Sequence, residues 1–326
     1  MTLRRARGPV MLGIEGHALS DADRRRLADP LVGGVILFTR NYADAAQLRA
    51  LTASIRALRD PPLLIAVDHE GGRVQRFRTG FTAVGPMRGV GVRWDEDPAA
   101  ARDHAFAIGS TIARELRAHG VDFSFTPVLD LDHGASAIIG DRAFHREPAV
   151  VGELAGALVR GLHAGGSAAV GKHFPGHGYV AADSHLELPV DDRPLEAVLE
   201  RDIAPFASLA GTLDAVMPGH VVYPRVDPRP AGFSSVWVGD ILRARLGFDG
   251  LVVSDDLEMG AAQGVGDIVA RADAAVAAGC DMVLVCNRFD AMDDLLARWS
   301  PPENARLADR MAAMAAREIA SDAAKS

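Results

Sequence analysis

Between residues 172 and 185 the chain reads KHFPGHGYVAADSH, which gathers three histidines, a lysine and an aspartate into one short stretch. Asp183 and His185 are two apart, and in extended backbone residues i and i+2 face the same side. The carboxylate can then hold one imidazole nitrogen while the other gives and takes a proton. The stretch also contains metal-ligand types in His173, His177, Asp183 and His185. A third reading is a hydrogen-bonded loop without chemistry, and Gly176 and Gly178 favour a loop that folds over a neighbouring surface.

The elements that carry these residues are legible from hydrophobic patterning. Short apolar runs rich in Val and Ile recur at 10–16, 33–39, 63–68, 123–130, 168–174, 215–223, 250–255 and 282–287. They are nearly continuous in hydrophobicity, as strands buried on both faces are. Amphipathic helix patterns lie between them. One starts at Asp44, which with Gln47 resembles a capping box. A second runs through Ala105, Ile108, Ile112 and Leu116 and stops at Gly120, a C′ glycine. A third carries Leu195, Val198, Leu199, Ile203 and Phe206 on one face and ends near Gly211.

Eight strands alternating with helices predict a (β/α)₈ TIM barrel, in a single domain over residues 1–326 with a C-terminal helical tail. A doubly wound open sheet is the alternative, but GIEGHALS is not the glycine-rich first turn such a fold usually shows. In a barrel, the residues that end the strands converge on one mouth. Here they are Asp68 with His69 and Glu70, Asp130, Lys172 with His173, His220, Ser254 with Asp255 and Asp256, and Asn287. Each alone could be a helix cap or a loop residue; together they mark a site. Adjacent residues on a strand point opposite ways, so one of Asp255 and Asp256 is expected to face the mouth.

Composition narrows the function classes. The 326 residues are 48% hydrophobic and 24% charged, which reads as a globular protein with a large core. The net charge of −8 and the lack of a basic stripe argue against nucleic acid. No segment approaches a membrane span. The N-terminal MTLRRARGPVMLGIEG is expected to be a first strand, not a signal peptide, because Glu15 interrupts the apolar run and no small-residue cleavage site follows. If Cys280 and Cys286 bracket one strand, their Cα atoms lie roughly 20 Å apart, too far for a disulfide. That favours a reducing, cytoplasmic compartment.

VDHEGGRVQRF (67–77), IGDRAF (139–144), KHFPGHG…DSH (172–185) and VVSDDLEMGA (252–261) resemble the β-N-acetylglucosaminidases of glycoside hydrolase family 3. The closest likeness is to the short, single-domain bacterial type that acts in peptidoglycan recycling, and it spans nearly the whole chain. The resemblance implies a retaining hydrolase with Asp255 as nucleophile and His185, oriented by Asp183, as acid/base. It implies that Asp68, Arg76, Arg142, Lys172 and His173 bind the non-reducing N-acetylglucosamine of saccharides or muropeptides. No metal and no cofactor is implied. One departure is Tyr179, where a small or polar residue is expected. His69, Glu70, Asp130, His177 and His220 carry no assigned role and are expected to support their neighbours or the fold. Two other classes stay open on the residues alone. One is a metal-dependent barrel hydrolase, although Glu15-Gly16-His17 replaces the H-x-H that such an enzyme would show after strand one. The other is a carbohydrate-binding barrel without catalysis.

Overall fold

The computed structural model describes residues 3–4, 6–181 and 188–315. Eight parallel strands close into a barrel in chain order: β1 (Val10–Gly13), β2 (Val32–Leu37), β3 (Leu64–Val67), β4 (Phe123–Ser124), β5 (Ala168–Phe174), β6 (Ala215–Pro218), β7 (Leu251–Asp256) and β8 (Met282–Val285). The expected TIM barrel is the observed fold.

Alternation along each strand explains the continuous apolar runs. Met11, Ile36, Leu64, Ala66, Leu251, Val253, Met282 and Leu284 fill the barrel interior. The residues between them, such as Val10, Leu12, Val35, Ile65, Val252 and Val283, pack outward against the helices. The tail helix Leu307–Met314 sends Leu307, Met311 and Met314 into the interior cluster. Its partners there include Met282 and Leu251, at the starts of their strands, so the tail covers the N-terminal end. The opposite end stays available for a site.

Three elements differ from their sequence patterns, each at a proline. The run 123–130 is a strand only over Phe123–Ser124. Pro127 has no N–H to give the ladder. The chain still follows β5, through Val170 N–H to Thr126 O (2.8 Å) and Leu129 N–H to Lys172 O (2.7 Å). The run 215–223 stops at Pro218, and Val222–Tyr223 instead pairs antiparallel with Asp227–Pro230. The third helix splits into Leu195–Glu200 and Ala204–Leu209, because Pro205 is tolerated only in a first turn.

The other helix signals hold. Asp44 caps Ala45–Arg56 by accepting from the N–H groups of Ala46 and Gln47. Gln47 completes the turn by accepting from Ala43 N–H at 2.9 Å, one residue earlier than a strict capping box. The helix Pro98–Ala118 ends at Gly120, whose φ of +77° needs no Cβ there. Among the described residues, no helix is long and apolar enough to cross a membrane. Cys280 and Cys286 are both buried free thiols flanking β8.

Candidate active site

The C-terminal ends of the strands open onto a cavity of about 420 Å³. Asp68, Arg76, Arg142, Lys172, His173 and Asp255 all line it, so every described residue proposed for the site meets the others there. Asp183 and His185 lie outside the described residues.

Two irregularities in strand pairing shape the site. Along β5 and β6, Met217 pairs with Lys172 and Pro218 with Phe174, so His173 is an extra residue on β5. Along β7 and β8, Val253 pairs with Met282 and Asp256 with Leu284, so β7 also carries one residue more than its partner. Such bulges re-aim side chains. Lys172 and His173 therefore both line the cavity, and so do Asp255 and Asp256. The expectation that only one of the two aspartates faces the mouth is corrected: strict alternation ends at the bulge.

One side of the cavity is a network of compensated charges. The Lys172 ammonium lies 2.7 Å from Asp68 Oδ1 and 2.7 Å from Glu70 Oε1. Arg142 donates Nε and Nη2 to the two Glu70 oxygens at 2.9 and 2.8 Å, a bidentate fork. Arg76 Nη2 is 3.7 Å from Asp68 Oδ2, and its guanidinium lies over the Phe38 ring. Burial alone would raise the Glu70 carboxyl, but Arg142 and Lys172 hold it well below the usual carboxylate range. Burial also disfavours the Lys172 ammonium, and Asp68 and Glu70 overcome that and raise its pKa.

Next to this network, buried Asp130 fixes the bulge. It accepts from His173 Nδ1 at 2.7 Å and from the His177 backbone N–H at 2.7 Å. The bond to His173 leaves that ring's Nε2 for the cavity. His177 also lines the cavity, and burial lowers its pKa.

The other side is acidic. Asp255 Oδ1 accepts the Asp256 backbone N–H at 2.8 Å, and Asp256 Oδ1 accepts from Glu258 N–H at 3.1 Å. Glu258 is held by the backbone N–H groups of Cys286, Asn287 and Arg288, at 3.1, 2.6 and 2.7 Å. Burial pushes the Asp256 carboxyl up to about 7, with Glu258 and Asp255 adding to the shift. The Cys286 thiol, buried beside these carboxyls, is also pushed up.

The residues without an assigned role divide in two. Glu70 and Asp130 hold ligand-facing side chains in place, and His177 lines the cavity directly. Their signal in the sequence was only a position near a strand end. His69 serves the fold, and His220 holds the end of β7 through its Nε2 to Asp256 O at 3.2 Å. His69 is buried near the rings of Phe77 and Phe81, and burial lowers it to about 4. His220 stacks on Phe233 at 4.8 Å. Asn287, a strand-end residue of the sequence pattern, lines the cavity as expected, and Arg73 and Met259 line it without having been singled out. Among the described residues, no three His, Cys, Asp or Glu side chains are grouped to hold a metal ion. Of the four candidate ligands, His173 spends Nδ1 on Asp130, and Asp183 and His185 are outside the described residues.

Residues 7–312 match the family model described as the glycosyl hydrolase family 3 N terminal domain. The chain belongs to glycosyl hydrolase family 3. This family 3 chain is 59% identical to a Beta-hexosaminidase of Aromatoleum aromaticum over 317 residues, 97% of this chain and 89% of that protein. A Beta-hexosaminidase of Chromobacterium violaceum is 58% identical over the same shares of each chain. Among solved structures, NagZ from Neisseria gonorrhoeae in complex with N-trifluoroacetyl-D-glucosamine superposes with a TM-score of 0.93 at 51% identity, over 97% of this chain and 92% of that one. NagZ from the same organism in complex with zinc ion has a TM-score of 0.91 at 49% identity, over 97% and 92% of the two chains. The protein is a glycoside hydrolase of the β-hexosaminidase kind.

Proposed function

We propose that the protein is a retaining β-N-acetylglucosaminidase that releases terminal, non-reducing β-linked N-acetylglucosamine. The observation that carries this reading is the meeting of Asp255 with Asp68, Arg76, Arg142, Lys172 and His173 in one cavity of a family 3 barrel. Asp255 attacks C1 and forms a glycosyl-enzyme ester. Asp256, its neighbour, is the poorer nucleophile, because a carboxyl pushed up to about 7 is substantially protonated at neutral pH. Lys172 and Arg142 offer N–H donors to sugar hydroxyls, Asp68 offers an acceptor, and His173 presents Nε2. With their charges already balanced, the donors stay in place when the sugar is absent.

His185, oriented by Asp183, protonates the leaving oxygen and then deprotonates the water that resolves the ester. This replaces the second carboxyl of the usual retaining pair. The donor-rich cavity side is compatible with a carboxylate-bearing aglycone such as anhydro-N-acetylmuramic acid. We take the natural substrates to be muropeptides of cell-wall recycling, met in the cytoplasm by one catalytic domain that needs neither metal nor cofactor.

The test compares kcat/KM on a chromogenic β-N-acetylglucosaminide and on the matching β-glucoside. Strong preference for the first is expected, and comparable values on both would reject the substrate assignment. His185→Ala should lose about 10²- to 10⁴-fold on a disaccharide, whose leaving alkoxide needs a proton, and far less on a nitrophenyl glycoside. Asp183→Ala should follow the same pattern more mildly. Equal losses on both leaving groups would remove His185 from the acid role. Bound metal lost from these two variants, with activity lost on chelation, would favour a metal-dependent hydrolase instead.

A further inference from the structure

Tyr179 is exposed, two residues after the cavity-lining His177, yet it is held on two sides. The Arg193 guanidinium carbon lies 3.9 Å from the centre of its ring, so one face is covered. His133 meets the ring edge-on, with centroids 5.3 Å apart. Arg193 is bonded in turn to Asp191 at 2.6 Å and Asp202 at 2.8 Å, and His133 Nε2 to Asp202 Oδ1 at 2.9 Å. Asp191 and Asp202 are buried, and these bonded pairs give the tyrosine a rigid backing. The residue nevertheless keeps 41% of its surface exposed.

The loop beneath it is equally constrained. Gly176 has a φ of +148°, and a Cβ there would come within 2.8 Å of Asp202 Cβ. A Cβ on Gly178 would lie 1.8 Å from Leu131 O, so only glycine lets the chain lie this close. Tyr223 Oη donates to Gly176 O from below. Two residues of chain span at most about 7 Å. Tyr179 Cα therefore stands within that distance of the Cα of His177, which lines the cavity. Tyr179 is thus a near chain neighbour of the sugar site without being part of its lining.

We propose that Tyr179 is a stacking platform for the leaving-group sugar: its exposed face packs against the pyranose ring next to the scissile bond, while Arg193 and His133 fix its orientation. The inference rests on the glycosidase reading above. A rigid aromatic ring takes up the apolar C–H face of a sugar at little cost in entropy. Such a contact is expected to favour substrates whose aglycone is a second sugar and to do nothing for those without one.

The experiment measures kcat/KM of wild type, Tyr179→Phe and Tyr179→Ala on a β-1,4-linked N-acetylglucosamine disaccharide and on methyl β-N-acetylglucosaminide, with a melting temperature for each protein. Both leaving groups are alkoxides that need acid assistance, and only one carries a ring. Tyr179→Ala should lose about 2- to 10-fold on the disaccharide through a raised KM, with the methyl glycoside unchanged and Tyr179→Phe near wild type. An equal loss on both substrates would overturn the proposal, and would mean that Tyr179 acts through the loop it stands on. No loss on either would overturn it as well. Wild-type protein that cleaves neither substrate would reject the glycosidase reading, and the platform with it.

Discussion

Glu70 and Asp256 both line or support the same mouth, four strands apart around the barrel, and their carboxyls behave in opposite ways. Glu70 takes a bidentate bond from Arg142 and a further bond from Lys172, and it is held anionic. Asp256 shares its surroundings with Glu258 and Asp255, and it is pushed up to about 7. Burial acts in the same direction on both. The sign of the neighbouring charges decides the outcome. One side of the cavity is a preset donor array with its charge balanced; the other concentrates acid around one carboxylate proposed to react. Neighbouring aspartates in one motif can therefore take different roles.

The largest expected effect breaks the acidic side. Asp255→Asn should cut turnover by several orders of magnitude while leaving the melting temperature close to wild type. A fluorinated sugar that traps the intermediate should label Asp255 in the wild-type protein, and a label on Asp256 would reverse the assignment.

On the opposite side, Glu70→Gln removes the charge that faces both Arg142 and Lys172. Breaking a buried pair typically costs about 3–5 kcal/mol. The folded-state pKa of Glu70 is depressed below the usual value of 4.5. Its stabilisation is therefore present above that pH and lost as the solution becomes more acidic. Urea melts should show a wide gap between wild type and Glu70→Gln at pH 7 that narrows towards pH 3. The variant should also bind substrate more weakly, since Arg142 and Lys172 lose their anchor. A gap independent of pH would mean that Glu70 acts by packing and not by charge.

The smallest effect sharpens the contrast. Asp256 has a raised folded-state pKa, so between about 4 and 7 the native state binds more protons than the unfolded one, and this group lowers stability as pH rises through that window. Asp256→Asn should remove the penalty. It is expected to raise the melting temperature relative to wild type at pH 8 and to leave it unchanged at pH 3. Its loss of turnover should be far smaller than that of Asp255→Asn. A variant that is less stable at pH 8 would show that the carboxylate form of Asp256 is the one the fold uses.

The eight-strand barrel was legible because its strands are buried on both faces: runs such as AAVGKHF and GLVVSD are continuously apolar until the residue where the chain leaves the core. For the same reason the strand-end polar residues could be pointed to one mouth before any coordinate. Elements failed at Pro127, Pro205 and Pro218, where a missing N–H overrides an apolar pattern. Asp68, Lys172, His173 and Asp255 could be found as a group from their strand-end positions and motifs. The supporting roles of Glu70 and Asp130 could not be read, since each depends on which distant side chains come within bonding distance.

The order of residues in the chain determines which side chains reach the C-terminal end of the barrel, because β-strand alternation and burial are local rules that one sequence window contains. It does not determine which way the last residues of β5 and β7 turn. Those orientations depend on one extra residue in each strand relative to its partner, and the partner is a different segment of chain. The protonation states likewise follow from neighbours tens of residues away, Arg142 against Glu70 and Glu258 beside the buried Asp256. Coulomb energy and desolvation act through space, so the charge of a carboxyl belongs to the folded molecule and not to its motif.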